Sequence, residues 1–141
     1  MSDMRRQMRD NLVAITSLAV ALSALSYNTW RNERTERNRN VRVAGIEMLQ
    51  EIGSLQQIIF YAQYAGGDAR GDPRMGWADV HTIEDLATMM PPEVGREAVE
   101  LRAAWEADVE GLIDDEAAFR RIDGAIEELR QETLRSLQAL R

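Results

Sequence analysis

The sequence predicts an all-α protein, in which an N-terminal transmembrane helix continues into a long helix and a small antiparallel helical bundle follows. Three observations predict this class. Residues 11–30 contain no charged side chain, although 29% of the chain is charged. Beyond them, apolar residues recur at spacings of three and four, which is typical of amphipathic helices. No segment alternates between apolar and polar residues over a useful length, so no strand is predicted.

The uncharged segment has the length of a membrane span. Its twenty residues, at a rise of ~1.5 Å each, give ~30 Å of helix, the thickness of a bilayer's hydrocarbon core. Tyr27 and Trp30 lie where an interfacial aromatic belt is expected. The arginines that would bind lipid headgroups next to this belt are Arg31, Arg34, Arg37 and Arg39.

Two other interpretations of this segment remain open. A cleaved signal peptide would use the small residues around Ala24 and Ser26, but the apolar stretch continues past them. A buried helix of a soluble protein or oligomer is also compatible, since hydroxyl-bearing residues make the segment only moderately apolar. The length criterion favours the membrane anchor.

Small residues form one face of the predicted anchor: Ser17, Ala21, Ala24 and Asn28. Small residues at this spacing let two helices approach closely in lipid, and the hydroxyl and amide groups can bond across the contact. The face is therefore a candidate interface for self-association or for a partner helix. The alternative is that alanine and serine are simply common in bacterial anchors.

Charge divides the chain at residue 42. Residues 1–42 carry eight arginines against four acids, and residues 43–141 carry nine arginines against twenty acids. The expected organisation is a short tail (1–10), the anchor (11–30), an arginine-rich juxtamembrane helix (31–42) and an acidic bundle (43–141). The acidic bundle argues against nucleic-acid binding. The absence of cysteine excludes disulfides and thiolate metal sites.

The first helix is expected from about residue 11 to about residue 64. The pair Glu33 and Arg37 supports helix through the arginine-rich region. The expected core stripe beyond it is Ile46, Leu49, Ile52, Leu55, Ile59 and Ala62. Gly66 and Gly67 are expected to cap its end.

A loop is expected over residues 66–76. The next apolar stripe is Trp77, Val80, Ile83, Leu86 and Met90. Thr82 followed by Asp85 resembles a capping box, so regular helix is expected only from about Ile83.

The last two helices are predicted to form an antiparallel hairpin because the link between them is short. Pro92 suits the first position of one helix, and Asp115 and Glu116 suit the start of the other. The stripes are Val94, Ala98, Leu101, Trp105, Val109 and Leu112, then Phe119, Ile122, Ile126, Leu129, Thr133 and Leu137.

No catalytic, cofactor or metal residue is predicted. His81 is the single histidine, and a pair with Asp85 or Glu84 is geometrically possible, but a surface or capping role is favoured. A di-iron bundle needs a histidine from each of two helices. The acids between residues 68 and 79 do not match the spacing of a calcium loop.

Aromatic and methionine residues near the loop are a candidate partner surface: Tyr61, Tyr64, Trp77, Met89 and Met90. Such residues are over-represented at interfaces. Core packing at the end of the bundle is the favoured alternative.

The functional expectation is a non-enzymatic, membrane-anchored interaction or scaffold module. It would self-associate and serve as an accessory or regulatory subunit of a membrane complex, with lipids and a second copy or another membrane protein as partners and without a cofactor. The alternative is a periplasmic ligand-sensing bundle. All 17 basic residues are arginine and none is lysine. This usage is read as the codon bias of a GC-rich bacterium, and the expected location is therefore the bacterial inner membrane.

The arginine distribution bears on membrane orientation. Five arginines follow the anchor and three precede it, which favours a cytoplasmic C-terminal domain. The opposing consideration is that a tail carrying Arg5, Arg6 and Arg9 resists translocation.

Overall fold

The computed structural model describes residues 2–65 and 68–140, and places the side chains of residues 11–65 and 68–140. The four helices are α1 (Ser2–Tyr64), α2 (Pro73–Ala87), α3 (Pro92–Asp108) and α4 (Glu116–Ala139). Short 3-10 helices lie at Ala69–Gly71 and Val109–Gly111. No strand occurs in the described part of the chain, so the predicted all-α class is confirmed.

The chain divides into two compact units, Met1–Arg37 and Asn38–Arg141. The described part of the first unit is helical and belongs to α1, which begins at Ser2 rather than near the expected residue 11. Residues 11–37 are all exposed. The described side chains of this unit therefore form no buried core.

The second unit is an antiparallel bundle to which residues 38–64 of α1 contribute the first helix. The start of this α1 segment meets the second half of α4, because the Thr133 hydroxyl lies 3.3 Å from the sulfur of Met48. The other neighbouring pairs are equally antiparallel. Early α2 meets late α3, where the rings of Trp77 and Trp105 lie 6.4 Å apart. Nearer the turn, Glu84 pairs with Arg102 at 3.2 Å. Late α3 meets early α4 at Asp108, 2.6 Å from Arg121.

The bundle encloses one apolar core to which all four helices contribute. Trp105 is its largest fully buried side chain, and its ring meets Trp77 edge-on at a centroid distance of 6.4 Å. Thr133 is buried among apolar residues because its hydroxyl donates to the Leu129 carbonyl at 2.8 Å. Burial of this core is the main force that holds the four helices together.

The buried stripe of α1 differs from the prediction. Its core-facing residues are Val41, Ala44, Met48, Ile52, Leu55, Ile58, Ile59 and Ala62. The assignment of Ile46 to the core was wrong, because this side chain is 50% exposed. Leu49 is partly buried at the edge of the core. Ile46 lies three positions from Leu49, and Leu49 lies three positions from the core residue Ile52. Spacing alone therefore did not separate the two sides of the helix.

Helix α2 begins ten residues before the predicted Ile83, at Pro73. Asp72 is its N-cap and accepts a hydrogen bond from the Arg74 amide at 3.0 Å. The capping-box interpretation of Thr82 was wrong, since its hydroxyl lies inside the helix and donates to the Ala78 carbonyl at 2.9 Å. The predicted cap at Gly66 and Gly67 lies outside the described residues.

The predictions for α3 and α4 are confirmed at their starts. Pro92 occupies the first turn of α3, and Asp115 caps α4 by accepting from the Ala117 amide at 2.8 Å. The apolar stripe of α3 extends as predicted, but the α-helix ends at Asp108 and Leu112 follows the 3-10 turn. Leu112 is nevertheless fully buried.

Gly76 is a packing requirement of the bundle. A Cβ atom there would overlap the buried ring of Trp105 and lie 3.0 Å from Leu55. We expect Gly76→Ala to lower the free energy of unfolding by about 1–3 kcal/mol, the usual cost of overpacking. Thermal and denaturant unfolding of the detergent-solubilised chain, followed by circular dichroism, measures this.

The matched control is Gly124→Ala in the exposed part of α4. A Cβ there has no neighbour within 4 Å. This variant should be about 0.5–1 kcal/mol more stable than the parent, because alanine is the better helix former. Equal effects of the two substitutions would contradict the packing role of Gly76.

Candidate interaction site

Residues 11–30 present apolar side chains on every side of the helix. The exposed fractions of the large ones lie between 54% and 65%: Leu12, Val13, Ile15, Leu18, Val20, Leu22, Leu25, Tyr27 and Trp30. The structure places the predicted small residues Ser17, Ala21, Ala24 and Asn28 along one exposed line of this helix. Both sets are exposed within the described part of the chain.

Three hydroxyl groups of this segment form hydrogen bonds within the helix. Thr16 and Ser23 each donate to the carbonyl four residues earlier at 2.8 Å, and Thr29 does so at 3.0 Å. An internally bonded hydroxyl loses little on transfer into lipid, whereas an unpaired one costs several kcal/mol. These polar residues therefore do not oppose membrane insertion.

An aromatic and cationic band follows the apolar segment. The rings of Tyr27 and Trp30 lie 6.1 Å apart, and the guanidinium of Arg34 lies 5.6 Å from the Trp30 ring centre. The four predicted headgroup arginines, Arg31, Arg34, Arg37 and Arg39, are all exposed. Amphipathic rings beside free guanidinium groups have the chemistry of a membrane–water interface.

The structure does not assemble the predicted partner surface as one patch. Met90 is only 8% exposed and belongs to the core. Trp77 is half-buried against the core and stacks on His81, with ring centres 5.7 Å apart. Tyr64 and Met89 are exposed, at 62% and 50%. The half-buried Tyr61 is covered by an arginine.

That arginine is Arg70, in the loop between α1 and α2. Its guanidinium carbon lies 4.1 Å from the Tyr61 ring centre, and it donates to the Tyr61 hydroxyl at 3.0 Å. Asp68 fixes the arginine through a contact of 2.6 Å. These hydrogen bonds from Arg70 lower the pKa of Asp68 to about 2. Asp68, Arg70 and Tyr61 are thus joined by direct contacts, and we call this group of three residues the loop lock. Tyr61 is therefore not free for a partner.

The bundle instead exposes a face of α1 that the prediction missed. It consists of Val43, Ile46, Gln50, Gly53, Gln57, Phe60 and Tyr64, and we call it the outer face. Its four large apolar side chains, Val43, Ile46, Phe60 and Tyr64, are 49–62% exposed. The rings of Phe60 and Tyr64 lie 5.0 Å apart at an interplanar angle of 50°, and Tyr64 meets Phe119 of α4 edge-on at 5.7 Å. The spacing of three and four between residues of the outer face was the sequence signal that could have predicted it.

Acidic residues lie beside the outer face. Burial raises the pKa of Glu51, and the negative charges of Asp79 and Glu47 raise it further. Like charges therefore crowd this edge of α1, which makes a nearby cation favourable. Among the described residues, neither Glu47 nor the nearby Arg42 forms an ion pair.

A shallow groove lies between the start of α2 and the end of α3 with the turn that follows it. Its volume is about 420 Å³, and its lining includes Arg74, Trp77, Glu106, Val109 and Ile113. The combination of apolar walls and opposite charges suits a small amphipathic ligand. This groove is the place where the sensing alternative would locate its ligand.

His81 lies outside this groove on the surface of α2. Its Nδ1 atom is 3.4 Å from a carboxylate oxygen of Glu84, the second of its two expected neighbours, and its side chain is 59% exposed. In the part of the chain that the structure describes, no group of three or more histidine or acidic side chains is positioned to hold a metal ion.

Comparison with known proteins adds no relative: no family model, no curated protein and no solved structure matches the chain.

The loop lock predicts a specific acid titration. Because the pKa of Asp68 is lowered, its interaction with Arg70 stabilises the loop above the ordinary aspartate range and is lost as pH falls through about 2. Arg70→Gln should return the Asp68 pKa toward its ordinary value. Carboxyl-carbon NMR titration of the detergent-solubilised chain measures this shift.

Asp72 provides the internal control for this titration. Its pKa is lowered by hydrogen bonds from Arg74 rather than from Arg70. Its midpoint should stay the same in the Arg70→Gln variant. An unchanged Asp68 midpoint in that variant would contradict the lock.

Proposed function

We propose that this chain is a single-pass membrane protein and a non-catalytic interaction module. In this proposal residues 11–30 span the bilayer, and the acidic bundle binds and positions a protein partner as an accessory or regulatory subunit of a membrane complex. The bacterial inner membrane is the proposed location.

The complete exposure of an uncharged helical segment carries this proposal. One helix of the described chain is long and apolar enough to cross a membrane, and its apolar window has no buried residue. A core helix of a soluble protein would bury such side chains, since each is worth about 1.5–3 kcal/mol when removed from water. Lipid can cover all sides of the helix at once, whereas packing against a helical bundle covers only one side of it.

The charge distribution supports an interaction role for the bundle. Residues 43–141 carry a balance of −11, nine arginines against twenty acids. Anionic lipids repel such a surface, while they attract the arginines that follow the apolar segment. The bundle is therefore suited to contact proteins rather than the lipid surface.

The signal-peptide interpretation makes the opposite prediction about the mature protein. Cleavage near Ala24 would remove most of the exposed apolar side chains and release a soluble bundle. Detection of the intact chain in the membrane fraction separates the two interpretations.

Two arginines in the apolar segment should abolish membrane integration. Each arginine at the centre of a span costs about 2.5–3.5 kcal/mol on insertion scales. We expect Leu18→Arg combined with Leu22→Arg to move the full chain from the carbonate-resistant membrane pellet to the soluble or degraded fraction. Immunoblotting of the fractions measures this.

Val99→Arg is the matched control for the added charge. Val99 is an exposed apolar residue of α3, at 61%, and lies outside the proposed span. This variant should remain in the membrane pellet. Retention of the double variant in the same pellet would contradict the proposed anchor.

The orientation of the bundle follows from the arginine bias. We expect the C-terminus to be cytoplasmic, because five arginines follow the span and three precede it. A C-terminal phosphatase that is active only outside the cytoplasm should be inactive, and a C-terminal fluorescent protein that matures only inside it should fluoresce.

The opposite reporter pattern would favour the periplasmic ligand-sensing alternative. That function would use the groove lined by Trp77, Val109 and Ile113. It would still require a partner to carry the signal across the membrane, since the described residues provide one candidate span.

A further inference from the structure

We propose that two copies of the chain pair in parallel through the outer face of α1 and form a short two-stranded coiled coil. This inference rests on the proposed function and specifies the partner of its interaction surface as a second copy. The pairing surface lies within the bundle unit, from Arg42 to Tyr64.

The spacing of the outer face is that of a coiled-coil seam. Its seven residues follow one another at alternating steps of three and four, from Val43 to Tyr64. These steps correspond to successive a and d positions of three heptads. The buried stripe of α1, which includes Met48, Leu55 and Ala62, occupies the other heptad positions. One helix can therefore pack into its bundle and along a second helix at the same time.

The seam combines apolar ends with a polar, narrow centre. Val43 and Ile46 lie at one end, and Phe60 and Tyr64 at the other. Gly53 lies between them, and a Cβ atom there would meet nothing within 4 Å. A glycine inside a helix costs about 0.5–1 kcal/mol relative to alanine, and packing within the chain gives no reason for it. A second helix in close approach would supply one.

Charge complementarity selects the parallel arrangement. In the heptad that begins at Val43, Arg42 precedes an a position and Glu47 follows a d position. In a parallel dimer these flanking positions face each other across the seam, so each arginine meets the glutamate of the other copy. In an antiparallel dimer centred on Gly53, Arg42 would face a region near Gln63, which carries no charge.

Two-fold symmetry doubles this contact. The same patch on both copies forms an isologous interface, so one Arg42–Glu47 complementarity yields two ion pairs. Each lies beside Val43 and Ile46 of both chains, where apolar side chains partly exclude water. The crowding of negative charge around Glu47 and Glu51 adds to the attraction for the incoming arginine.

Cysteine crosslinking tests the seam, because the chain contains no native cysteine. Ile46→Cys and Phe60→Cys each place one thiol at a d position of the full chain in native membranes. Two parallel copies bring identical d positions within the ~7 Å Cα distance that a disulfide tolerates. Under mild oxidation, each variant should give at least about fivefold more covalent dimer than Val99→Cys, which exposes an equally accessible thiol on α3.

Charge reversal tests the register independently. Starting from Ile46→Cys, either Arg42→Glu or Glu47→Arg should lower the dimer yield by about two- to fivefold, because each places like charges across the seam. Combining both reversals should restore the yield. Equal yields in all four chains would overturn the assigned charge pairing.

The arms of the crosslinking experiment separate the other outcomes. Heterodimers between co-expressed Ile46→Cys and Phe60→Cys chains, without homodimers of either, would overturn the parallel arrangement. Equal crosslinking at Ile46 and Val99, or crosslinks of Ile46 to a different protein only, would overturn the second copy as occupant. Loss of the chain from the membrane pellet would overturn the proposed anchor instead, so the two failures are distinguishable.

Discussion

The packing of residues 38–64 of α1 into the shared apolar core is the contact on which the bundle depends. Leu55 meets α2 at Gly76, where the buried ring of Trp105 also lies, and Met48 meets α4 at Thr133. Without this helix, α2 and the α3–α4 hairpin would expose the apolar stripes that they bury together. This packing also determines which side of α1 remains exposed, because a helix that contributes one stripe to a core presents the opposite side to solvent.

The sequence was sufficient to predict a helix where that helix has a single apolar stripe and a single set of residues that can begin or end it. The stripes of α3 and α4, the start at Pro92 and the cap at Asp115 were predicted because no competing pattern exists there. Prediction failed at α2 because Asp72 with Pro73 and Thr82 with Asp85 are both acceptable starts. Tertiary packing decided between them, since the earlier start brings Gly76 and Val80 into the core.

The candidate site was less predictable for a related physical reason. Helix α1 carries apolar residues on two sides, and a single sequence cannot state which side meets the bundle. Ile46 was therefore assigned to the core, and Phe60 was not singled out. Tyr61 illustrates a different limit, because its coverage by Arg70 depends on a loop conformation fixed by Asp68. Composition pointed to this end of the bundle as a candidate partner surface, and that role stays a prediction.

In the proposed dimer, membrane anchoring compensates for the small apolar area at the centre of the outer face. A seam with Gln50, Gly53 and Gln57 at its middle buries too little apolar surface to hold two freely diffusing proteins, which lose translational and rotational freedom on association. Anchors that insert with one topology restrict both copies to a plane and to a common orientation, and so raise their effective concentration. A modest seam then suffices for pairing and remains reversible. A stronger apolar seam would expose a large patch during synthesis and invite aggregation before insertion. The polar centre is thus consistent with a contact that forms only after the chain has reached the membrane.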